Sequence, residues 1–369
     1  MAKDILTFSD ELGPIKIVQI YSPKIGLKAV LAIDNVAAGP SIGGIRMAPD
    51  VTTAEAFRLA RAMTFKNAAA GLAHGGGKAV IQADPKTISI QQKEILIRAF
   101  AQAIKDLTEY IPGPDMGTDE TCMAWIKDEI NRSVGLPREI GGIPLDEIGA
   151  TGHGLVAVAE TACPFYGINL SGATVAIQGF GAVGKHAAIQ LEKKGAKVIS
   201  VADSKGTITN LNGLSVEKLL AIKAKGNSVT TYSEGEKGDA LTVIGVPCDI
   251  WIPAARPDII TKENVDELQT KLIIQGANIP ITEEAEQFLF EKGVAVIPDF
   301  IANAGGVICA AVEYHGGTEQ SALDTIWQKI SFNTKAVITH SKAEHIPERM
   351  AANKMARNRI KAAMKLRRI

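Results

Sequence analysis

Two lysines twelve residues apart, Lys66 and Lys78, and one carboxylate, Asp115, are the side chains in this sequence best placed to do chemistry. Lys66 continues the apolar stripe of a helical pattern, three residues past Met63 and seven past Leu59. An ammonium on that stripe needs an anion to meet it, unless its stem snorkels to water. Lys78 follows Gly75-Gly76-Gly77, where missing side chains let a backbone bend sharply or approach another group closely. Placed by a tight turn at the start of the apolar strand Ala79-Val80-Ile81, beside a second cation, Lys78 is expected to have a lowered pKa. That suits proton exchange near neutral pH; the bland alternative is a solvated lysine on a flexible turn. Asp115 lies in Ile111-Pro112-Gly113-Pro114-Asp115-Met116-Gly117-Thr118. Prolines stiffen the backbone before it and Gly117 turns it afterwards, so it is either a turn-former or a positioned acid/base group.

The elements that must carry these groups are legible as patterns. Thr52 and Glu55 are spaced as a capping box, and Ala56, Leu59, Ala60 and Met63 mark the buried face of the helix that follows. Upstream, runs such as Ile15-Lys16-Ile17-Val18-Gln19-Ile20 alternate like strands, and Gly39-Pro40-Ser41-Ile42-Gly43-Gly44-Ile45-Arg46 reads as turn chemistry. A second helix follows Ser89 with Leu96, Phe100 and Ile104 on one side, and Thr118 is placed to cap a third carrying Met123, Ile126 and Ile130. Pro137 to Pro144, with Gly141-Gly142 inside, is the candidate domain boundary.

Beyond it strands and helices alternate, the mark of a mostly parallel sheet. The strand Ala173-Thr174-Val175-Ala176-Ile177-Gln178 leads into Gly179-Phe180-Gly181-Ala182-Val183-Gly184 and then a helix. In that context G-x-G-x-x-G is a dinucleotide fingerprint: Gly179 permits the turn, Gly181 admits pyrophosphate, and Gly184 lets helix and strand pack. The phosphates would sit over the helix N-terminus at Ala182 and Val183. Asp203 ends the next strand, nineteen residues after Gly184, where a carboxylate receives the adenosine ribose hydroxyls and repels a 2′-phosphate. NAD is therefore favoured, with NADP possible because Ser204 and Lys205 could hold that phosphate. Cys248–Ala255 and Leu272–Asn278 look like further strands ending in small or polar residues, where open α/β sheets place ligands.

Composition narrows the class. The 369 residues suffice for two domains, with 46% hydrophobic and 22% charged residues. Forty basic residues balance forty acidic ones, so no global field draws nucleic acid or an anionic membrane. The basic end, Lys365-Leu366-Arg367-Arg368, more simply complements a helix dipole. Four widely spaced cysteines lack a C-x-x-C, which indicates neither metal nor a disulfide scaffold. Met1-Ala2-Lys3-Asp4 opens no signal-peptide core, and no apolar run is long enough to span a bilayer. A cytoplasmic enzyme is expected.

As an ordered set these segments resemble the glutamate/leucine/phenylalanine/valine dehydrogenase family, from about Gly39 onward. Lys66-Asn67-Ala68-Ala69-Ala70-Gly71 through Lys78 looks like its two-lysine signature, and Pro114–Thr118 like its catalytic aspartate loop. Ala150-Thr151-Gly152, Gln275-Gly276-Ala277-Asn278 and Asn303-Ala304-Gly305-Gly306 look like its nicotinamide-side segments. The resemblance implies an α/β chain of two domains. Residues 1–148 form a substrate-binding and oligomerisation domain, and 149–335 a Rossmann-type doubly wound dinucleotide-binding domain. A C-terminal helix, 336–369, returns to the first domain, and a cleft separates the two. It further implies homo-oligomers, hexamers or octamers, built through the first domain. By the same resemblance Lys66 binds the substrate α-carboxylate, Lys78 activates the attacking water, and Asp115 shuttles protons at the amino nitrogen. Thr151, Asn278 and Asn303 hold the nicotinamide half, and hydride passes to it from the substrate Cα.

Two positions bear on the substrate, an amino acid exchanged with a 2-oxo acid and ammonia. Glutamate enzymes of the family carry a lysine immediately before the paired glycines; here it is Ile42, followed by Gly43. The serine of N-A-G-G-V-x-x-S is Ala310. Counting Met63 with them as pocket residues, the expectation is an apolar amino acid such as leucine, valine or phenylalanine, because a second carboxylate would be buried unpaired. Glutamate dehydrogenase is the alternative, since segments such as Met123-Ala124-Trp125 look closer to that branch. A non-catalytic sensor of NAD or an amino acid is the alternative from another class, against which the Lys66, Lys78 and Asp115 trio argues.

Overall fold

The computed structural model describes residues 5–367. The segments read above at Met1–Asp4 and at Arg368 lie outside them. The chain separates into two compact units, the first running through Pro144 and including Val307–Ala322 and the segment from Lys354. Leu145–Gly306 and Leu323–Asn353 make the second.

The first unit holds five strands: β1 (Lys16–Ser22), β2 (Leu27–Asn35), β3 (Ser41–Ala48), β4 (Gly75–Gln82) and β5 (Tyr110–Pro114). They lie in the order β1-β2-β4-β3-β5. The β3 strand runs parallel to both β4 and β5, whereas β2 is antiparallel to β1 and β4. Alternation assigns residues to faces. Ile45, Met47, Ala79 and Ile81 face the larger core with Phe100 of helix α2 (Ile90–Ala103) and Met123 of helix α3 (Glu120–Ile130). Val80 and Ala48 face Ala56 and Ala60 of helix α1 (Thr53–Ala69). Ile42, Gly44, Arg46, Gly76 and Lys78 fall on that same α1 side.

Helix α1 begins where expected: the Thr52 hydroxyl accepts from the Glu55 amide at 3.1 Å. Only that half of the capping box forms, because the Glu55 carboxylate is drawn to Arg46. The buried stripe is Ala56, Ala60, Thr64 and Asn67, which leaves Leu59, Met63 and Lys66 half-buried beside it.

Both glycine-rich segments read as turns are strands instead. The expected turn at Gly39–Arg46 is mostly β3, and the Gly75–Gly77 run opens β4 rather than preceding it. The glycines serve close approach: a Cβ on Gly76 would stand 2.0 Å from the Thr64 amide nitrogen, and one on Gly43 1.6 Å from the Gly77 carbonyl oxygen. Helix α3 is capped by Asp119, which accepts from the Cys122 amide at 3.0 Å, and not by Thr118.

The second unit carries seven strands among its described residues: β6 (Thr174–Gln178), β7 (Lys197–Asp203), β8 (Gly206–Thr209), β9 (Glu236–Gly238), β10 (Ile250–Pro253), β11 (Leu272–Ile274) and β12 (Ala295–Ile297). Their order is β12-β11-β10-β6-β7-β8-β9. Strands β6, β7, β10, β11 and β12 are mutually parallel, and β8 and β9 extend the sheet antiparallel. This is a Rossmann-type doubly wound sheet whose order reverses between β6 and β10, where such sheets bind ligands. Helices α4 (Ala150–Ala162) and α5 (Ala182–Lys193) flank it, followed by α6 (Val216–Ala224), α7 (Glu283–Glu291) and the single turn α8 (Asp299–Ala302).

The last three helices are α9 (Gly305–Tyr314), α10 (Glu319–Glu344) and α11 (Glu348–Met364). Val307–Ala322, read from sequence as part of the second domain, packs with the first unit. Its anchor is Glu313, whose carboxylate accepts from the amides of Gly135 at 2.7 Å, Leu136 at 3.2 Å and Ile143 at 2.8 Å. The expected helix 336–369 is two helices broken near His345, a left-handed residue at φ 53°. Only its part from Lys354 belongs with the first unit; there Arg359 donates to the carbonyls of Ala68 and Ala69, at 3.1 and 2.7 Å, closing the end of α1. Among the described residues no helix is long and apolar enough to cross a membrane.

Candidate active site

Three strands deliver one cluster. The Lys78 ammonium lies 2.6 Å from Asp115 Oδ2, and Arg46 Nε reaches the same oxygen at 3.1 Å. Arg46 is held in turn by Glu55 Oε1 at 2.7 Å. Glycine at position 44 is obligatory: a Cβ there would stand 2.7 Å from the Asp115 Cβ and 3.2 Å from the Lys78 Nζ. Asp115 follows the end of β5, where the Thr118 hydroxyl accepts from its amide at 3.0 Å and donates to the Ile45 carbonyl at 2.8 Å. The carboxylate is thus fixed to β3 at its base and to two cations at its tip.

The electrostatics follow from burial. Only 8% of the Lys78 side chain is exposed, and desolvation pulls its pKa below the ordinary lysine value. Asp115 opposes that shift, and the Arg46 charge adds to it. Burial would raise the Asp115 pKa, but Lys78 and Arg46 outweigh it and hold the carboxyl below its usual range. A lysine so placed can give up its proton at a pH where free lysine cannot.

Lys66 occupies the last turn of α1, two residues past Thr64, whose backbone meets Gly76. The neighbouring Asn67 amide donates to the Gly75 carbonyl at 2.6 Å and to that of Ile42 at 3.4 Å, tying α1 to β3 and β4. Ile42 is buried at 3% exposure in register with Gly76, on the face that carries Lys78. Ala310 is half-buried on α9, within the part that packs with the first unit. Arg46 and Glu55 are members of the cluster that the sequence reading does not single out. The signal for Arg46 is its place two residues past the paired glycines; Glu55 is masked by its second role as a capping partner.

In the second unit Gly179 has φ 101°, and a Cβ on it would meet the Ala255 Cβ at 2.7 Å, at the end of β10. Gly184 stands against the Gly179 carbonyl, which a Cβ would approach to 2.0 Å. Gly181 has open space around it, and α5 starts there without a side-chain cap. The start of α5 at Ala182 and Val183 therefore has room and uncapped amides that suit a phosphate. Asn303 Nδ2 donates to Asn278 Oδ1 at 2.9 Å, and a Cβ on Gly305 would stand 3.0 Å from the Thr151 Cα. Of the three residues expected on the nicotinamide side, Asn278 and Asn303 are thus joined directly, and Thr151 packs against Gly305, two residues past Asn303.

Asp203 departs from expectation. Its Oδ1 accepts from the Lys205 amide at 3.0 Å and the Ser228 hydroxyl at 2.9 Å, and its Oδ2 from Lys223 Nζ at 2.8 Å and the Val229 amide at 3.0 Å. The side chain is 9% exposed. Burial alone would raise its pKa, but these donors bring it down to about 2. A carboxylate offers about four lone-pair positions, so the chain's own donors saturate the group read as the ribose acceptor.

A buried lysine–carboxylate pair on one α/β unit and a phosphate-fitting turn on a doubly wound sheet in the other are the features of a two-domain α/β enzyme that uses a dinucleotide. Comparison with known proteins agrees. Residues 16–132 match the model described as the Glu/Leu/Phe/Val dehydrogenase dimerisation domain, and residues 141–368 that of Glutamate/Leucine/Phenylalanine/Valine dehydrogenase. The chain is similar to a glutamate dehydrogenase of Aeropyrum pernix, 40% identical over 355 residues, covering 90% of this chain and 85% of that one. It is also similar to an NADP(+)-dependent glutamate dehydrogenase of Pyrobaculum calidifontis, 40% identical over 76% of this chain and 70% of that one. Among solved structures, an L-tryptophan dehydrogenase of Nostoc punctiforme superposes with TM-score 0.76 at 26% identity, over 96% of this chain and 98% of that one. The chain belongs to the glutamate/leucine/phenylalanine/valine dehydrogenase family. It is an NAD(P)-dependent amino acid dehydrogenase, an oxidoreductase acting on a CH–NH2 group.

Proposed function

We propose that the protein catalyses reversible oxidative deamination of an apolar L-amino acid, of the leucine, valine or phenylalanine type, to the 2-oxo acid and ammonia. The observation that carries this reading is Ile42, buried on the Lys78 face of the sheet where resembling glutamate enzymes place a lysine. Lys66 takes the α-carboxylate, and Gly43, Met63, Ile42 and Ala310 line the pocket around the side chain. The nicotinamide cofactor, when bound, supplies the hydride acceptor for the substrate Cα. Lys78 as the free amine removes a proton from the water that attacks the resulting iminium carbon. Asp115 exchanges protons with the departing nitrogen, so the carbinolamine releases ammonia. Gly179, Gly181, Ala182, Val183 and Gly184 hold the pyrophosphate; Thr151, Asn278 and Asn303 hold the nicotinamide half. These roles place the substrate on the first unit and the dinucleotide on the second.

Glutamate is the second reading, and the names of the Aeropyrum and Pyrobaculum relatives favour it over ours. A substrate panel decides. We expect kcat/KM for leucine, valine or phenylalanine to exceed that for glutamate by about 10²-fold or more; the reverse order establishes the glutamate reading.

Saturation of Asp203 also bears on the cofactor. Lys223 neutralises the carboxylate, so a 2′-phosphate meets no bare negative charge and NADP is accepted alongside NAD. Replacing Lys223 by Met is expected to raise KM for NADP about tenfold relative to NAD, within the roughly 1–4 kcal/mol of one charge pair near a surface. Equal changes for both cofactors would remove Lys223 from this role. Assembly is proposed as a homo-oligomer through the first unit, supported by the match to a dimerisation domain. A cytoplasmic location fits four cysteines that stand as free thiols.

A further inference from the structure

Ile279 has φ 47°, a left-handed backbone conformation that a β-branched residue adopts only under constraint. It is 58% exposed, so no packing of its own side chain explains the conformation. It follows Asn278 directly, and what holds it is polar. The Ile279 amide donates to Asp299 Oδ2 at 2.9 Å, and its carbonyl accepts from the Asp258 amide at 2.9 Å. Asp299 is buried, and its other oxygen makes an ion pair, without a hydrogen bond, with Arg349 Nη2 at 2.9 Å. Arg349, at the start of α11, also grips Glu286 with two bonds of 2.6 and 2.8 Å and donates to Gln275 Oε1 at 2.8 Å. Gln275 closes the ring, donating to Glu286 at 2.6 Å and accepting from the Asp299 amide at 3.0 Å. One guanidinium therefore fixes both ends of Gln275-Gly276-Ala277-Asn278-Ile279 and the turn that leads into Asn303.

We infer that Arg349 is a positioning residue for the nicotinamide half of the cofactor, acting through Asp299 and the strained Ile279 to aim Asn278 at Asn303. This rests on the reading that Asn278 and Asn303 hold that half. The planar fork matters because Nε and Nη2 grip both oxygens of Glu286 and so fix where Nη2 meets Gln275 and Asp299; a lysine keeps the charge but not that two-point grip.

The test titrates wild-type protein and Arg349→Lys with NADH and with ADP, which carries only the adenine half. Arg349→Lys is expected to bind NADH about tenfold or more weakly, the scale set by small misplacements of positioning groups, with ADP affinity and KM for the amino acid unchanged. Parallel loss of NADH and ADP affinity, or loss of neither, overturns the inference. Should Arg349→Lys fail to fold, Asp299→Asn carries the test: it keeps an acceptor for the Ile279 amide and removes the charge that meets Arg349. Its NADH affinity is expected to fall several-fold with ADP affinity unchanged, and unchanged NADH affinity is the overturning result. Wild-type protein that binds ADP but gains nothing from the nicotinamide half overturns the assignment of Asn278 and Asn303 as well.

Discussion

Lys78→Ala is expected to lower kcat for oxidative deamination by about 10³-fold or more, within the usual contribution of a positioned acid/base group, while reduced and oxidised cofactor still bind. Lys78 sits on β4 of the first unit, and the phosphate-fitting turn belongs to the second, so the variant removes proton transfer and not the dinucleotide site. Loss of the side chain also frees Asp115 from its partner at 2.6 Å; Arg46 remains to hold the carboxylate, so the loop after β5 keeps its shape. The sign of the pH dependence follows from the same geometry. Water activation needs the free amine, so kcat/KM rises with pH through the Lys78 pKa and levels above it. Burial and Arg46 lower that pKa, so the limb falls below the value of about 10.4 for an unperturbed lysine. Measured cofactor affinity, single-turnover rate and pH profile check the set together. Near-normal turnover in Lys78→Ala removes Lys78 from the chemistry.

How far this site is legible in the order of residues depends on whether each contact is local. The Thr52 cap, the fingerprint after β6 and the stiff loop at Asp115 are short-range and show in the sequence. The paired glycines and the Gly75–Gly77 run do not declare themselves as strands. Glycine's local preference points to turns, and the reason for glycine at positions 43 and 76 is a neighbouring backbone from another element. Asp203 misleads for the same reason. It stands where a ribose acceptor is expected, but its saturating donors at Lys223, Ser228 and Val229 lie 20, 25 and 26 residues away, with no periodic signal to announce them. The anchoring of α9 to the first unit by Glu313 rests on contacts across 170 or more residues. Burial patterns predict that such a helix exists, but not which unit its glutamate joins.

The substrate reading has its own decisive experiment in the pocket. By the family resemblance, Ile42 and Ala310 stand where glutamate enzymes carry a lysine and a serine, so the double variant Ile42→Lys/Ala310→Ser supplies both polar partners proposed for a second carboxylate. An ionised carboxylate buried without a partner costs several kcal/mol, about 3–5 where one member of a buried pair is missing. Supplying the pair should move the ratio of kcat/KM for glutamate over leucine upward by about 10²–10³-fold, as happens when a site gains or loses a buried polar match. Both sides of the ratio are expected to move: glutamate gains a partner for its second carboxylate, and leucine leaves the introduced ammonium unpaired against an apolar side chain. Neither substitution removes Lys78 or Asp115, so the rising limb of the pH profile remains; a further cation at position 42, on the Lys78 face, is expected to move it downward, as Arg46 does. If wild-type protein already prefers glutamate and the double variant gains nothing, the γ-carboxylate is met by other groups and Ile42 does not set specificity. If leucine turnover falls and glutamate turnover does not rise, the pocket is apolar but too narrow at position 42 for the longer side chain. Ile42→Met with the same panel then measures the space alone.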